Sequence, residues 1–146
     1  VSNDLFEEHQ AIVETAEGFI DMLKREPRPP MGDVSRARVK LSALIRRHRA
    51  TEEELIFGPL MREGGLGKLP HLTPFVQELM REKVRYSDHV RKWTPQAIEK
   101  DWSGYIVAVE SLLEGLKSIM KDEQSSVYQM VRGLSPAALG NRPPQH

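Results

Sequence analysis

The sequence contains no cysteine. That absence removes disulfides, iron–sulfur clusters, thiolate zinc sites and cysteine nucleophiles together, so any bound metal must be held by His, Asp or Glu. It also fits a reducing compartment, and the expected location is the cytoplasm. An excess of charge of one sign is missing as well. Lys plus Arg number 21 and Asp plus Glu number 21, so no net field draws the chain to nucleic acid or to an anionic membrane. Long apolar runs are absent too: charge interrupts every apolar segment well before the ~20 residues needed to span a bilayer. The amphipathic pattern begins almost at Val1, without a basic leader and apolar core, so no signal peptide is expected.

What the sequence does have is helix periodicity. Its 146 residues suit one domain, long enough to bury roughly 68–70% of the surface its unfolded form exposes. Four segments carry apolar residues at three- and four-residue spacing, and none alternates with the period of a strand. The first runs from about Ser2 to Lys24, with Leu5, His9, Ile12, Val13, Ala16, Phe19, Ile20 and Leu23 on one stripe. Asp4, Glu7 and Glu8 favour its N-terminus electrostatically, and "REPRPPMGD" ends it because proline cannot continue a helix. The second starts near Asp33 and places Ala37, Leu41, Leu44, Ile45, His48, Glu52, Leu55 and Ile56 together, before "FGPLMREGGLGKLP" closes it. The third spans about Leu72 to Trp93, with Phe75, Val76, Leu79, Glu82 or Lys83, Tyr86, Val90 and Trp93 inward.

The fourth starts at Pro95 or Asp101 and runs to Arg132, with a stripe from Tyr105 through Val109, Leu113 and Leu116 to Ile119, Glu123, Val127 and Met130. Such helices, joined by short or medium turns, describe an all-α, antiparallel up-down-up-down four-helix bundle over residues 1–134, with 135–146 as a flexible tail. The basic run Arg36, Arg38, Lys40, Arg46, Arg47 and Arg49 lies off the apolar stripe and reads as a solvated face.

Polar groups on the apolar stripes carry the functional signal. His48 and Glu52 stand four residues apart and so project from one face of a helix as a chelate. Aligning "HRATEEELIFGPLM" on "IMKDEQSSVYQMVR" sets Glu52 against Glu123, and in antiparallel order His9 falls in the same layer. Counting to that depth in the third segment reaches Glu82, Lys83 and Tyr86. His89 lies roughly 9 Å further along the axis, and His71 sits in a proline-flanked loop, so neither is a good ligand candidate. Two histidines and two carboxylates converging on one apolar layer is unfavourable without a cation.

These features resemble the hemerythrin family and its hemerythrin-like cation-binding (HHE) relatives. The likeness runs from "LFEEHQAIV" through "HRATEEELIFGPLMREGG" and "LMREKVRYSDHVRKW" to "SIMKDEQSSVYQMV", with His-x-x-x-Glu at 48–52 its most specific part. By position the resemblance assigns His9, His48, Glu52 and Glu123 as metal ligands. The pattern is broken where the family has a Glu-His pair, here Glu82-Lys83, at Ser87 four residues later, and where Ile119 replaces a histidine. Each of these departures removes a ligand of the second iron of a diiron site. The resemblance therefore implies one metal, iron or else Mn or Zn, with Lys83 supplying charge where the second ion would lie and with Glu82 and Tyr86 nearby.

The functional expectation is a metal-binding protein that stores or senses the metal, or meets a small gaseous ligand such as oxygen or nitric oxide. Two alternatives stand beside it. One is a metal-dependent oxidase or peroxidase-like enzyme with Tyr86 as a redox-active neighbour. The other is a metal-free bundle serving as a regulatory or interaction module. The sequence shows no separate acid–base pair, nucleophile or substrate pocket, which favours binding over turnover.

Overall fold

The computed structural model describes residues 3–62, 67 and 70–127, with side chains from Leu5 onward apart from those of His71, Ser126 and Val127. Within them the fold is all-helical and contains no strand. The positions of Met130 and Arg132, and the 135–146 tail, lie outside the described residues.

Helix α1 (Asn3–Leu23) buries Leu5, His9, Ile12, Ala16, Phe19, Ile20 and Leu23, the three- and four-residue stripe that its sequence dictates. Helix α2 (Met31–Glu52) begins two residues before the expected Asp33. The reason is local: Pro30 is extended, and its carbonyl accepts from the backbone N–H groups of Asp33 and Val34. A π-helical turn (Glu53–Phe57) and the short α3 (Gly58–Arg62) extend this segment. Helix α4 (Thr73–Lys92) carries Pro74 in its first turn, where a missing N–H costs nothing.

The two candidate starts of the last segment are both used. Thr94 Oγ1 accepts from the Ala97 N–H at 3.2 Å to open α5 (Pro95–Lys100), and Asp101 Oδ1 accepts from the Gly104 N–H at 3.0 Å to open α6 (Trp102–Asp122). The chain breaks between them because Asp101, at φ −142° and ψ 67°, is not helical. A second π-helical turn (Glu123–Val127) follows α6.

Helix α1 packs along α2 and along α6, and α6 packs against α4 and α5. The Trp102 indole N–H donates to the Leu23 carbonyl at 2.9 Å, tying the start of α6 to the end of α1. The main apolar cluster joins Ile12, Phe19, Ile45, Trp93, Tyr105 and Val109, among others. A smaller one joins Leu5, Ile56, Leu60 and Leu72 at the other end of the stripes. His9 falls between Leu5 and Ile12, and His48 and Glu52 between Ile45 and Ile56, so the candidate ligands occupy the seam between the two clusters.

Of the third segment's two polar alternatives, Glu82 is the buried one and Lys83 is half-buried. Two expectations are corrected. Val90 is exposed at the rim of a cleft, while Trp93 just beyond the end of α4 is buried. The basic run is not uniformly solvated: Arg38 donates to the Trp93 carbonyl at 2.7 Å, Arg49 lies over the Tyr86 ring, and both are half-buried. No described helix is long and apolar enough to cross a membrane.

Candidate metal centre

Three segments deliver four polar groups to one buried point. His9 comes from the second turn of α1, His48 and Glu52 from the last turns of α2, and Glu123 from the π-helical turn after α6. All four are at most 5% exposed. One ligand atom from each lies within 4.8 Å of all the others. The two imidazole Nε2 atoms are 2.9 Å apart, His9 Nε2 is 3.2 Å from Glu123 Oε1, and His48 Nε2 is 3.5 Å from Glu52 Oε2. Donors sharing one ion at bond lengths of about 2.0–2.2 Å lie roughly 3–4 Å from one another. The observed separations fall in or beside that range.

Both histidines are aimed by hydrogen bonds on their far nitrogens. His48 Nδ1–H donates to Glu8 Oε1 at 2.8 Å, while the Thr51 hydroxyl donates to Glu8 Oε2 at 3.0 Å. His9 Nδ1–H donates to Gln124 Oε1 at 3.1 Å. Each ring is thereby fixed in the orientation that turns Nε2 toward the cluster, the arrangement by which carboxylates and amides orient metal-ligating histidines. Glu8 and Gln124 escaped the sequence reading. Each adjoins a candidate ligand in the chain and sits at a seam between helices, and that adjacency is the signal that could have found them.

The electrostatics separate the two imidazoles. Burial, aided by the neighbouring His48 charge, holds His9 below its ordinary value against the opposing pull of its Gln124 bond. Burial also acts to lower His48, yet its hydrogen bonds and charge attraction to Glu52 and Glu8 outweigh this and raise it. The same His48 Nε2 faces both Glu52 Oε2 and the Nε2 of His9. Burial first, and then the hydrogen bond and charge of Glu52, push the Glu123 carboxyl far above the usual carboxylate range, with Lys83 acting weakly the other way. Glu123 Oε2 is buried with no hydrogen-bond partner among the described residues. A buried carboxylate oxygen left in that condition is costly. A cation fits the orphaned oxygen and the hard, mixed N/O donor set.

The remaining sequence candidates lie apart from this group. Glu82 is buried against Gly115 of α6, where an added Cβ would lie 2.8 Å from its Oε1, and it is paired with Arg85. The Tyr86 hydroxyl meets Ser42 Oγ at 2.5 Å, and its ring carries the Arg49 guanidinium. His89 stacks on Tyr105 at 5.9 Å between ring centroids. A backbone position is described for His71 but no side chain.

Comparison with protein-family models, with curated proteins and with solved structures finds no match to this chain.

Proposed function

We propose that this chain is a hemerythrin-like metal-binding protein, an antiparallel up-down-up-down four-helix bundle that holds one non-haem metal ion on His9, His48, Glu52 and Glu123. The observation that carries the reading is the convergence of four buried donors within 4.8 Å, both imidazoles presenting Nε2. Iron, manganese and zinc all accept such a set. A metal held there supplies Lewis acidity and, if it is iron, one-electron chemistry toward a small ligand such as oxygen or nitric oxide.

The residues supply the rest. Imidazole and carboxylate ligate a metal only in their deprotonated forms, so metal loading at this site weakens in acid. Glu8 accepts the Nδ1–H of His48 and keeps that ring basic and oriented. Lys83 takes the electrostatic place of a second ion, since its charge reaches Glu123 from α4. Replacing Lys83 with Met tests this: stability should fall while metal stoichiometry stays at one. Uptake of a second equivalent, or a variant that is as stable as wild type without metal, counts against the role given to Lys83.

A metal-free polar network is the second reading. It is favoured by the 2.9 Å His9–His48 bond and by the hydrogen bond between Glu52 and Glu123, which together close the cluster on itself. The two readings part in a thermal melt. Added Fe(II), Mn(II) or Zn(II) raises the midpoint of a binding protein and leaves a closed network unmoved. Binding fits the site better than turnover, because Tyr86, the candidate redox partner, is engaged by Ser42 and Arg49.

A further inference from the structure

Helices α2 and α4 do not pack closely on each other, and a cleft of about 870 Å³ opens between them with Phe19, Tyr105 and Leu112 on its inner side. Its charge is one-sided. Arg38, Arg46, Arg49 and Arg91 line it, and no carboxylate among the described residues does. Arg91 has Asp88 at 3.5 Å; Arg38, Arg46 and Arg49 have no carboxylate within 4 Å among the described residues. A protein with equal numbers of acids and bases has thus gathered three guanidinium groups without a carboxylate within 4 Å in one concavity, Arg49 among them feeling the charges of Glu52 and Glu82 from further off.

The placement follows from α2. Arg38, Ser42, Arg46 and Arg49 stand at successive four-, four- and three-residue steps and so form one ladder along a helix face. Arg38 is already engaged by the Trp93 carbonyl and the Tyr105 ring. Arg46 is exposed and Arg49 half-buried over Tyr86, which leaves these two with donors to offer. Around them the walls are mostly apolar, interrupted by Ser35, Ser42, Ser87 and His89, with Val39 and Val90 at the rim left 66% and 44% exposed. Guanidinium forks match a carboxylate bidentately, and a concavity of this size with apolar walls and a few convergent polar groups is the usual form of a small-molecule site.

We propose that this cleft binds a small organic carboxylate with an apolar body, its head group on Arg46 and Arg49 and its body against Tyr86, Val39 and Val90. The proposal does not depend on whether the bundle core holds a metal.

The test uses the full chain with 8-anilinonaphthalene-1-sulfonate as fluorescent probe and decanoate as competitor. Saturable probe fluorescence should appear on the folded protein and be displaced by decanoate, but far less by decanol or by inorganic phosphate. Arg46→Glu alters an exposed side chain and should preserve circular dichroism and melting temperature while raising the half-displacing decanoate concentration about tenfold. Arg47→Glu, also at an exposed position but outside the cleft, should leave displacement unchanged. Decanol displacing as well as decanoate would make the site merely apolar and overturn the proposal. So would equal weakening by the two charge reversals, which reports only a general field, or no saturable binding at all.

Discussion

Glu8 shows how a residue off the apolar stripe can matter as much as one on it. It bonds His48 Nδ1 at 2.8 Å and takes a second hydrogen bond from Thr51, so it sets the orientation of a ring whose other nitrogen faces the cluster. Replacing Glu8 with Gln keeps the size but removes the charge. Metal affinity, measured by competition with a chelator, should weaken roughly 10–100-fold, the usual cost of losing such a partner; an unchanged affinity would mean that His48 needs no such support. His89 offers a second test, of stability against pH. Burial, with the charges of Arg38 from α2 and Lys92 from its own helix, lowers it to about 4, while Tyr105 of α6 stacks on its ring. Its neutral form is the one the folded state prefers, so the unfolded chain binds more protons between its ordinary value of 6.5 and about 4. The stability this contributes is whole above pH ~6.5 and is lost as pH falls through that window. His89→Phe keeps a stacking ring without titrating, and urea midpoints between pH 7 and pH 4 should decline less steeply than in wild type. Parallel declines would remove His89 from the acid response. At this scale the four candidate ligands were legible in the sequence because a polar group on a helix stripe breaks the pattern. Glu8 and Gln124 break no pattern, since polar residues are ordinary at a helix seam.

Among the elements, the two π-helical turns have the closest bearing on the site. One begins directly after Glu52 and the other begins at Glu123, so both buried carboxyls of the cluster sit where a helix widens by one residue per turn. The internal match between "HRATEEELIFGPLM" and "IMKDEQSSVYQMVR" foreshadowed this pairing of carboxylates. The widening itself was not legible, because apolar spacing over a single turn does not distinguish a four-residue step from a five-residue one. Gly58 closes the first such turn: its N–H donates to the Glu53 carbonyl, and an added Cβ would stand 2.5 Å from that oxygen. In an ordinary helix Gly→Ala is favourable by roughly 1 kcal/mol. Here the contact is with backbone, so Gly58→Ala should instead destabilise by about 1–3 kcal/mol in denaturant titration. A gain in stability would show that the π-helical turn relaxes to a regular helix without penalty. The divided start of the last segment teaches a related lesson. Thr94 and Asp101 each carry a start signal, and the chain obeys both.

For the molecule as a whole, the all-helical class followed from four periodic stripes with no alternating segment, and the buried positions of α1 and α6 match their stripes closely. What periodicity could not supply is the spacing between helices. The cleft between α2 and α4 arises where arginines and tyrosines, rather than leucines, face across the gap, and a stripe of long cationic side chains reads in sequence like any solvated face. The seam between the two apolar clusters is likewise a property of the assembled helices: each contributes one or two polar groups, and only packing makes them four.

That convergence is tested most directly by metal stoichiometry. The full chain is equilibrated with Fe(II), Mn(II) or Zn(II), freed of loose metal by gel filtration, and analysed by inductively coupled plasma mass spectrometry beside His48→Ala. About one metal per wild-type chain, with almost none retained by the variant, is the expected result. Two metals per chain, none, or equal retention by His48→Ala would contradict a single ion held by His9, His48, Glu52 and Glu123.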